Sequence, residues 1–406
     1  MTTAQPLRYL NRTTPPHIST LILLAGLSAL AMNIFLPSLP GMTAYFNTEY
    51  RLIQLSVALY LGVNAGLQLL MGPISDRWGR RPVILWGLGL FLVATLGCIF
   101  APNVTVFLTF RMVQASVVVA MVLSRAIVRD MVPQDRAASM IGYVTMGMAV
   151  VPMIGPAFGG LLDEAFGWQA NFWALFLLGA ALFVVCWRDL GETAPLSGRT
   201  LMQQFRDYPA LLTSRRFWGY ALAAGLSSGA FFAYLGGAPF VGDKVFGLPP
   251  STLGILFGAP AIGYFLGNFA SGRFSTRVGV NRMVLWGTFF NAAGIALNLF
   301  LFYLGFGTAF TFFGLMMFMG LGNGMVIPNA TAGALSIRPD LAGTASGLSG
   351  ALMIGIGAGL SALAGLLLTP GSGVFALLWI MLTTALAAIV TILAVIRRER
   401  RLGLAG

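Results

Sequence analysis

The stretch Gly72-Pro73-Ile74-Ser75-Asp76-Arg77-Trp78-Gly79-Arg80-Arg81 decides the fold, because it sets four charges between two long apolar runs, Leu52–Met71 and Val83–Phe100. Runs of about 20 apolar residues are each long enough to cross a hydrocarbon core of roughly 30 Å as a helix. The stretch therefore reads as a tight polar joint between two membrane spans. Gly72 and Pro73 are expected to stop the first helix, Gly79 to relax the backbone, and Pro82 to sit in the first turn of the next helix. Arginines alone would serve as a positive loop that holds orientation. Asp76 works against that purpose and points to a specific partner.

The rest of the chain has the composition this reading needs. Hydrophobic residues make up 57% and charged residues 9%, against roughly 25% charged in soluble domains. This is the composition of a polytopic protein whose partner is the lipid bilayer. The net charge of +12 raises the question of nucleic acid, but the basic residues are scattered over loops and form no face or stripe. No nucleic-acid partner is expected. Cys98 and Cys186 stand isolated in apolar runs and read as small buried hydrophobes. His17 is the only histidine, so neither a metal site nor another cofactor is expected. Met1–Pro16 is long and contains proline, and the apolar run after it is long enough to remain as a span, so no cleavable signal is expected.

The apolar runs fall at about Ile18–Phe35, Leu52–Met71, Val83–Phe100, Val104–Val128, Ala138–Leu161 and Trp168–Trp187. After a polar segment they resume at about Phe217–Val241, Thr252–Ser271, Met283–Tyr303, Thr308–Leu335, Gly343–Leu368 and Val374–Ile396. The expected fold is an all-α membrane protein of twelve transmembrane helices in two six-helix pseudo-repeats: an N-terminal half 1–188, a linker 189–216 and a C-terminal half 217–406. Leu85-Trp86-Gly87 returns as Leu285-Trp286-Gly287, and Gly72, Arg77 and Gly79 return as Gly272, Arg277 and Gly279. Such internal repeats build many secondary transporters, with the site between the halves near the midplane. Nearly all the arginines alternate onto one side, with only Arg51 and Lys244 opposite, which places both termini in the cytoplasm. Leu201, Phe205, Leu211 and Leu212, set among arginines, suggest an amphipathic helix in the linker.

Polar residues inside the spans carry the mechanistic reading, because charge at mid-membrane costs at least about 2.5 to 3.5 kcal/mol. Arg111 lies about eight residues into the fourth span, roughly 12 Å along the helix, with Gln114 one turn on. It is expected to face an aqueous cavity; the alternative is an arginine that snorkels to the interface. Near the end of the same run, Asp130 is expected to pair with Arg77 or Arg80, and Asp76 with Arg129 or with amides at the start of a neighbouring helix. Such a lattice would hold the halves together and release them on rocking, or else serve as a static support for folding. In the fifth span Pro152, Gly155, Pro156, Gly159 and Gly160 share one face, combining close packing with a kink.

With these residues in place, Gly72–Arg81 resembles the signature loop between spans two and three of the major facilitator superfamily. Arg111-x-x-Gln114 resembles its fourth-span motif, and Gly155–Gly160 is similar to the fifth-span motif of its exporters. Leu36-Pro37-Ser38-Leu39-Pro40, together with Ser124–Asp130, resembles the bicyclomycin and chloramphenicol resistance (Bcr/CflA) subgroup of drug:proton antiporters. The resemblance implies a bacterial inner-membrane multidrug exporter that works by alternating access, exchanges a small-molecule substrate for protons and acts as a monomer. It also implies a cavity lined by spans one, four, seven and ten. The candidates are Asn33, Arg111, Gln114, Phe231, Tyr234, Asn323 and Asn329, with Tyr60, Tyr143 and Met146 from flanking spans.

One departure stands out. Many relatives carry an acid just before the Leu-Pro-x-Leu-Pro stretch, where this chain has Asn33, and all twelve carboxylates fall at span ends or in loops. Asp243, just beyond the seventh span, is the remaining candidate for the proton. A cavity with an arginine and no acid favours neutral or anionic solutes, so a second reading is an importer or facilitator of a small organic anion or metabolite. An enzyme would need a catalytic pair at depth, and the sequence offers no deep His, acid pair or activated Cys. A channel would show rings of like residues, and no GxxxxGK[ST] loop for ATP occurs.

Overall fold

A computed structural model describes residues 9–131, 140, 144, 151, 154–194, 208–338, 341–369 and 373–403. Among them are helices and turns but no strand. Eleven helices are long and apolar enough to cross a membrane. Spans one to four are Ile18–Tyr45, Tyr50–Trp78, Arg80–Ile99 and Val104–Val128. Spans six to nine are Gln169–Asp189, Arg215–Lys244, Pro250–Val278 and Val280–Tyr303, and spans ten to twelve are Ala309–Leu335, Thr344–Leu367 and Gly373–Arg401. The fifth expected run falls largely outside the described residues, and its described end is helical over 154–166. In the linker, Leu201 and Phe205 lie outside the described residues, while Tyr208–Leu212 is a short helix whose Leu211 is buried.

The joint that opened the sequence reading differs from expectation in one respect. Pro73 does not stop its helix, which runs unbroken from Tyr50 to Trp78. A proline removes one backbone donor, and no water competes for the freed carbonyls inside a membrane bundle. The carbonyl that loses its helical donor is that of Leu69, and the Ser75 hydroxyl makes a separate bond to the Gly72 carbonyl at 2.8 Å. The helix ends at Gly79, whose φ of +92° and ψ of 154° belong to a region that only glycine adopts readily. Pro82 then sits in the first turn of the third span, as expected.

The second half repeats this joint almost to the degree. Gly279 has φ +89° and ψ 150°, and its N–H donates to Ser275 at 2.9 Å, just as Gly79 donates to Ser75 at 2.9 Å. Nearly two turns into the spans that follow, Trp86 and Trp286 are both exposed on the outer surface of the bundle. Each half also closes on itself through an acid at the end of its last span. Asp189 accepts from the Leu10 and His17 amides and from the Thr20 hydroxyl at 2.7 to 3.0 Å. Glu399 accepts from Arg216, Tyr220 and Asn281 at 2.5 to 3.0 Å. Six helices are tied last to first in each case, which makes each half a closed unit.

The halves meet tightly on the face away from the termini. Tyr50 donates to the Gly236 carbonyl at 2.8 Å, and Gln54 Nε2 donates to the Ser361 carbonyl and hydroxyl at 2.5 and 2.9 Å. Between spans five and eight the approach is backbone to backbone, and a Cβ added to Gly160 would collide with the Pro250 carbonyl. A methyl at Gly79 would meet both the strained backbone and the Glu192 carboxylate. Gly79→Ala should therefore lower stability by about 1 to 3 kcal/mol, read as a lower melting temperature of the solubilised protein. Gly89→Ala, in a helix with nothing within 4 Å, should leave the melting temperature unchanged or raise it.

Candidate substrate cavity

Between the halves lies a cavity of about 360 Å³, within the range of small-molecule sites. Its deep wall is apolar and aromatic, with Met32, Phe231, Phe232, Leu235 and Phe257. Toward the terminal face it turns polar, with Asn64, Gln68, Arg125, Thr331, Ser346 and Ser349. No carboxylate lines it among the described residues. On helical rise, Arg125, Gln68 and Ser346 belong to the halves of their spans nearer the termini. The cavity thus runs from mid-span toward the terminal face, beneath the seal on the other side.

Of the residues singled out in the sequence, Asn33, Phe231 and Asn323 line this cavity. Tyr60, Arg111, Gln114, Tyr234 and Asn329 do not: all five are buried behind its wall. Tyr143, Met146 and Pro152 lie outside the described residues. Tyr234 joins a ring cluster with Phe257, Phe312 and Phe313 at centroid distances of 5.0 to 6.4 Å. Asn329 ties span ten to span eight through the Ser271 hydroxyl at 2.8 Å. Pro156 reaches the cavity wall, while Gly159 and Gly160 pack against the Ile34 and Pro250 carbonyls.

Arg111 is a support, not a cavity wall. Its guanidinium carbon lies 4.3 Å from the Phe35 ring centroid and 4.1 Å from that of Tyr60, a cation sandwiched between two aromatic faces. One nitrogen donates to Ala31 O at 2.9 Å and another to Gln114 Oε1. Gln114 in turn donates to Thr95 at 2.8 Å. Ala31 is in the last turn of the helix Ile18–Asn33, where the carbonyl end of the dipole favours a cation. Arg111 therefore pins the first span where it breaks into the Leu-Pro-Ser-Leu-Pro segment, and so fixes the position of Asn33.

At the terminal face the expected ion pairs are partly rearranged. Arg80 does meet Asp130, at 3.1 Å. Asp76 also meets Arg80, at 2.6 Å. Asp76 lies in the last turn of the second span and Arg80 opens the third, so the pair bridges the joint across Gly79. The Arg129 side chain lies outside the described residues. Sequence reasoning missed Glu192, which accepts from the Arg80 and Arg81 amides at 2.8 and 3.2 Å and so caps the third span from the end of the sixth. It also missed Asn64 and Gln68, whose i,i+4 spacing in the second span was the available signal. Asp243 pairs with Lys244 at 2.9 Å and does not line the cavity.

Two six-helix units around a central cavity, with tight contact on one face and polar residues toward the other, define a membrane transporter and not an enzyme. The model of the Major Facilitator Superfamily matches residues 21–252 and 243–404, and the chain belongs to that family. It is 31% identical to multidrug resistance protein D of Escherichia coli strain K12, over 88% of this chain and 90% of that protein. It is 31% identical to a chloramphenicol resistance protein of Pseudomonas aeruginosa, over 82% and 80%. An uncharacterized transporter of this type, YdgK of Bacillus subtilis, is 36% identical over 62% of this chain and 64% of its own length. The fold matches a bacterial homologue of the human lysosomal transporter Spinster with a TM-score of 0.67 and 16% identity, over 93% of this chain and 94% of that one.

A supporting role for Arg111 has a measurable signature. Arg111→Lys keeps the charge but loses the planar fork, so at least one charge-assisted hydrogen bond worth about 1.5 to 3 kcal/mol goes with it. The expected outcome is a lower melting temperature together with loss of transport. A side chain that only touched substrate would lower affinity and leave the melting temperature alone.

Proposed function

We propose that this chain exports small, mostly apolar, neutral or anionic compounds of the phenicol type across the bacterial inner membrane, by alternating access and in exchange for protons. Both termini then lie in the cytoplasm, which follows from the side that carries the arginines. The observation that carries the reading is the central cavity, with an aromatic deep wall, polar groups toward the terminal face and no carboxylate among its described lining residues. The resistance names of the Escherichia coli and Pseudomonas aeruginosa relatives point to drug efflux. One chain suffices for the cavity, which supports action as a monomer.

The Asp76–Arg80–Asp130 cluster at the terminal face supports a role for the joint in switching. Arg80 is held by two carboxylates from two spans of the N-terminal half, so a shift of those spans within that half would change its pairing. The coupling proton needs a titrating group, and asparagine at position 33 supplies none. Asp243 is the candidate, at the seal-side end of the seventh span and about one-third exposed. The same asparagine favours a second reading, in which the chain is an importer or facilitator of a small organic anion or metabolite.

Uptake of chloramphenicol into inside-out vesicles, with and without an imposed proton gradient, tests the proposal. Gradient-driven accumulation that disappears in Asp243→Asn is the expected outcome. Equilibration that ignores the gradient in the native chain, and becomes gradient-driven in Asn33→Asp, would replace the exporter with a facilitator on the same scaffold.

A further inference from the structure

The cavity offers two polar groups to a ligand that the reading so far leaves unused, both on the N-terminal half. Asn33 is buried, and its Nδ2 donates to the Ala29 carbonyl at 2.7 Å. Its Oδ1 has no hydrogen-bond partner among the described residues. A buried amide oxygen left without a partner costs about 1 to 3 kcal/mol, and this one belongs to a residue of the cavity wall. The neighbouring carboxamides are engaged: Gln68 donates to Asn64 Oδ1 at 2.9 Å, and Ser227 donates to Asn323 Oδ1 at 2.8 Å. Asn33 Oδ1 is therefore a buried acceptor, on a residue of the cavity wall, that the described residues leave unfilled.

The second group is Arg125. It is the one cationic side chain among the described residues that line this cavity. A guanidinium carries five donors in a rigid fork, enough to serve a ligand as well as a protein contact. Asn33 ends a helix that starts at Ile18 near the terminal face, and Arg125 lies near the end of the helix Val118–Met131 on that face. At 1.5 Å per residue they sit about 22 Å and about 9 Å in from those helix ends, so they are separated by about 13 Å along the bundle. Met32, Phe231 and Phe232 line the apolar wall of this cavity.

Resting on the reading of this cavity as the transport site, we propose that it selects elongated compounds with a hydrogen-bond donor at one end and an anionic group at the other. Asn33 Oδ1 receives the donor deep in the cavity, and Arg125 receives the anion nearer the terminal face. Organic anions then bind more tightly than neutral compounds on the same scaffold, and permanent cations are rejected. Arg111, which stands behind the wall, takes no direct part.

The test is equilibrium binding to the purified full chain in lipid nanodiscs, with chloramphenicol, its anionic succinate ester and tetraphenylphosphonium as probes. The native chain should bind the ester about tenfold more tightly than chloramphenicol, the scale of one charge-assisted hydrogen bond, and should not bind the phosphonium. Arg125→Gln should abolish that ratio and Arg125→Lys should keep most of it. Asn33→Asp is the independent arm, in a chain that retains Arg125: it should lose the ester and admit the phosphonium. Equal affinity for the ester and chloramphenicol in the native chain, or a ratio unmoved by both Arg125→Gln and Asn33→Asp, overturns the inference and leaves the transport reading standing. Failure of the native chain to bind either chloramphenicol compound overturns the inference and the phenicol reading together.

Discussion

Inside a membrane no water is available to satisfy a stray polar group, so every charge in the bundle needs partners built into the protein. Arg111 is where this chain meets that demand most fully. Two ring faces, a carbonyl at the end of a helix and the Gln114 amide surround its guanidinium. The arrangement joins spans one, two and four at the depth where the first span breaks. Asn33 is placed by that break, and with it the deep end of the cavity.

The two faces of the molecule use different chemistry. Away from the termini the halves touch through glycine and backbone, with Gln54 and Tyr50 donating to carbonyls across the interface. Close backbone approach is a short-range contact that is either made or lost. Near the termini the contacts described around Arg80 are ion pairs and a helix cap within the N-terminal half and the start of the linker. Charges can exchange partners over a longer range and in contact with water, which suits a joint that must rearrange without coming apart.

Much of the fold was legible because span length, arginine placement and the repeated Trp-Gly pairs are properties of the chain in one dimension. The repeat proved deeper than the letters alone: Gly79 and Gly279 share a backbone conformation. Pro73 was misread because a proline stops helices in water more reliably than in a membrane bundle, where continuing the helix keeps the remaining backbone groups bonded. The site was less legible. Arg111 was expected to face an aqueous cavity with Gln114 one turn on, and the structure buries both side chains against each other. A span that is apolar all round carries no periodic signal for which face turns inward, so Tyr234 and Asn329 were misplaced for the same reason.

By itself the sequence determined a twelve-span, two-half membrane protein with a charged joint and an asparagine, Asn33, just before the Leu-Pro-Ser-Leu-Pro stretch. These follow from hydrophobic length and residue identity, which need no contacts to read. Only the tertiary structure decided that Arg111 is a strut while Arg125 faces the cavity, that Arg80 gathers both Asp76 and Asp130, and that Glu192 reaches back to cap the third span. Each depends on how helices distant in sequence rotate against one another. That rotation is set by packing over whole faces, which no single stretch of residues encodes.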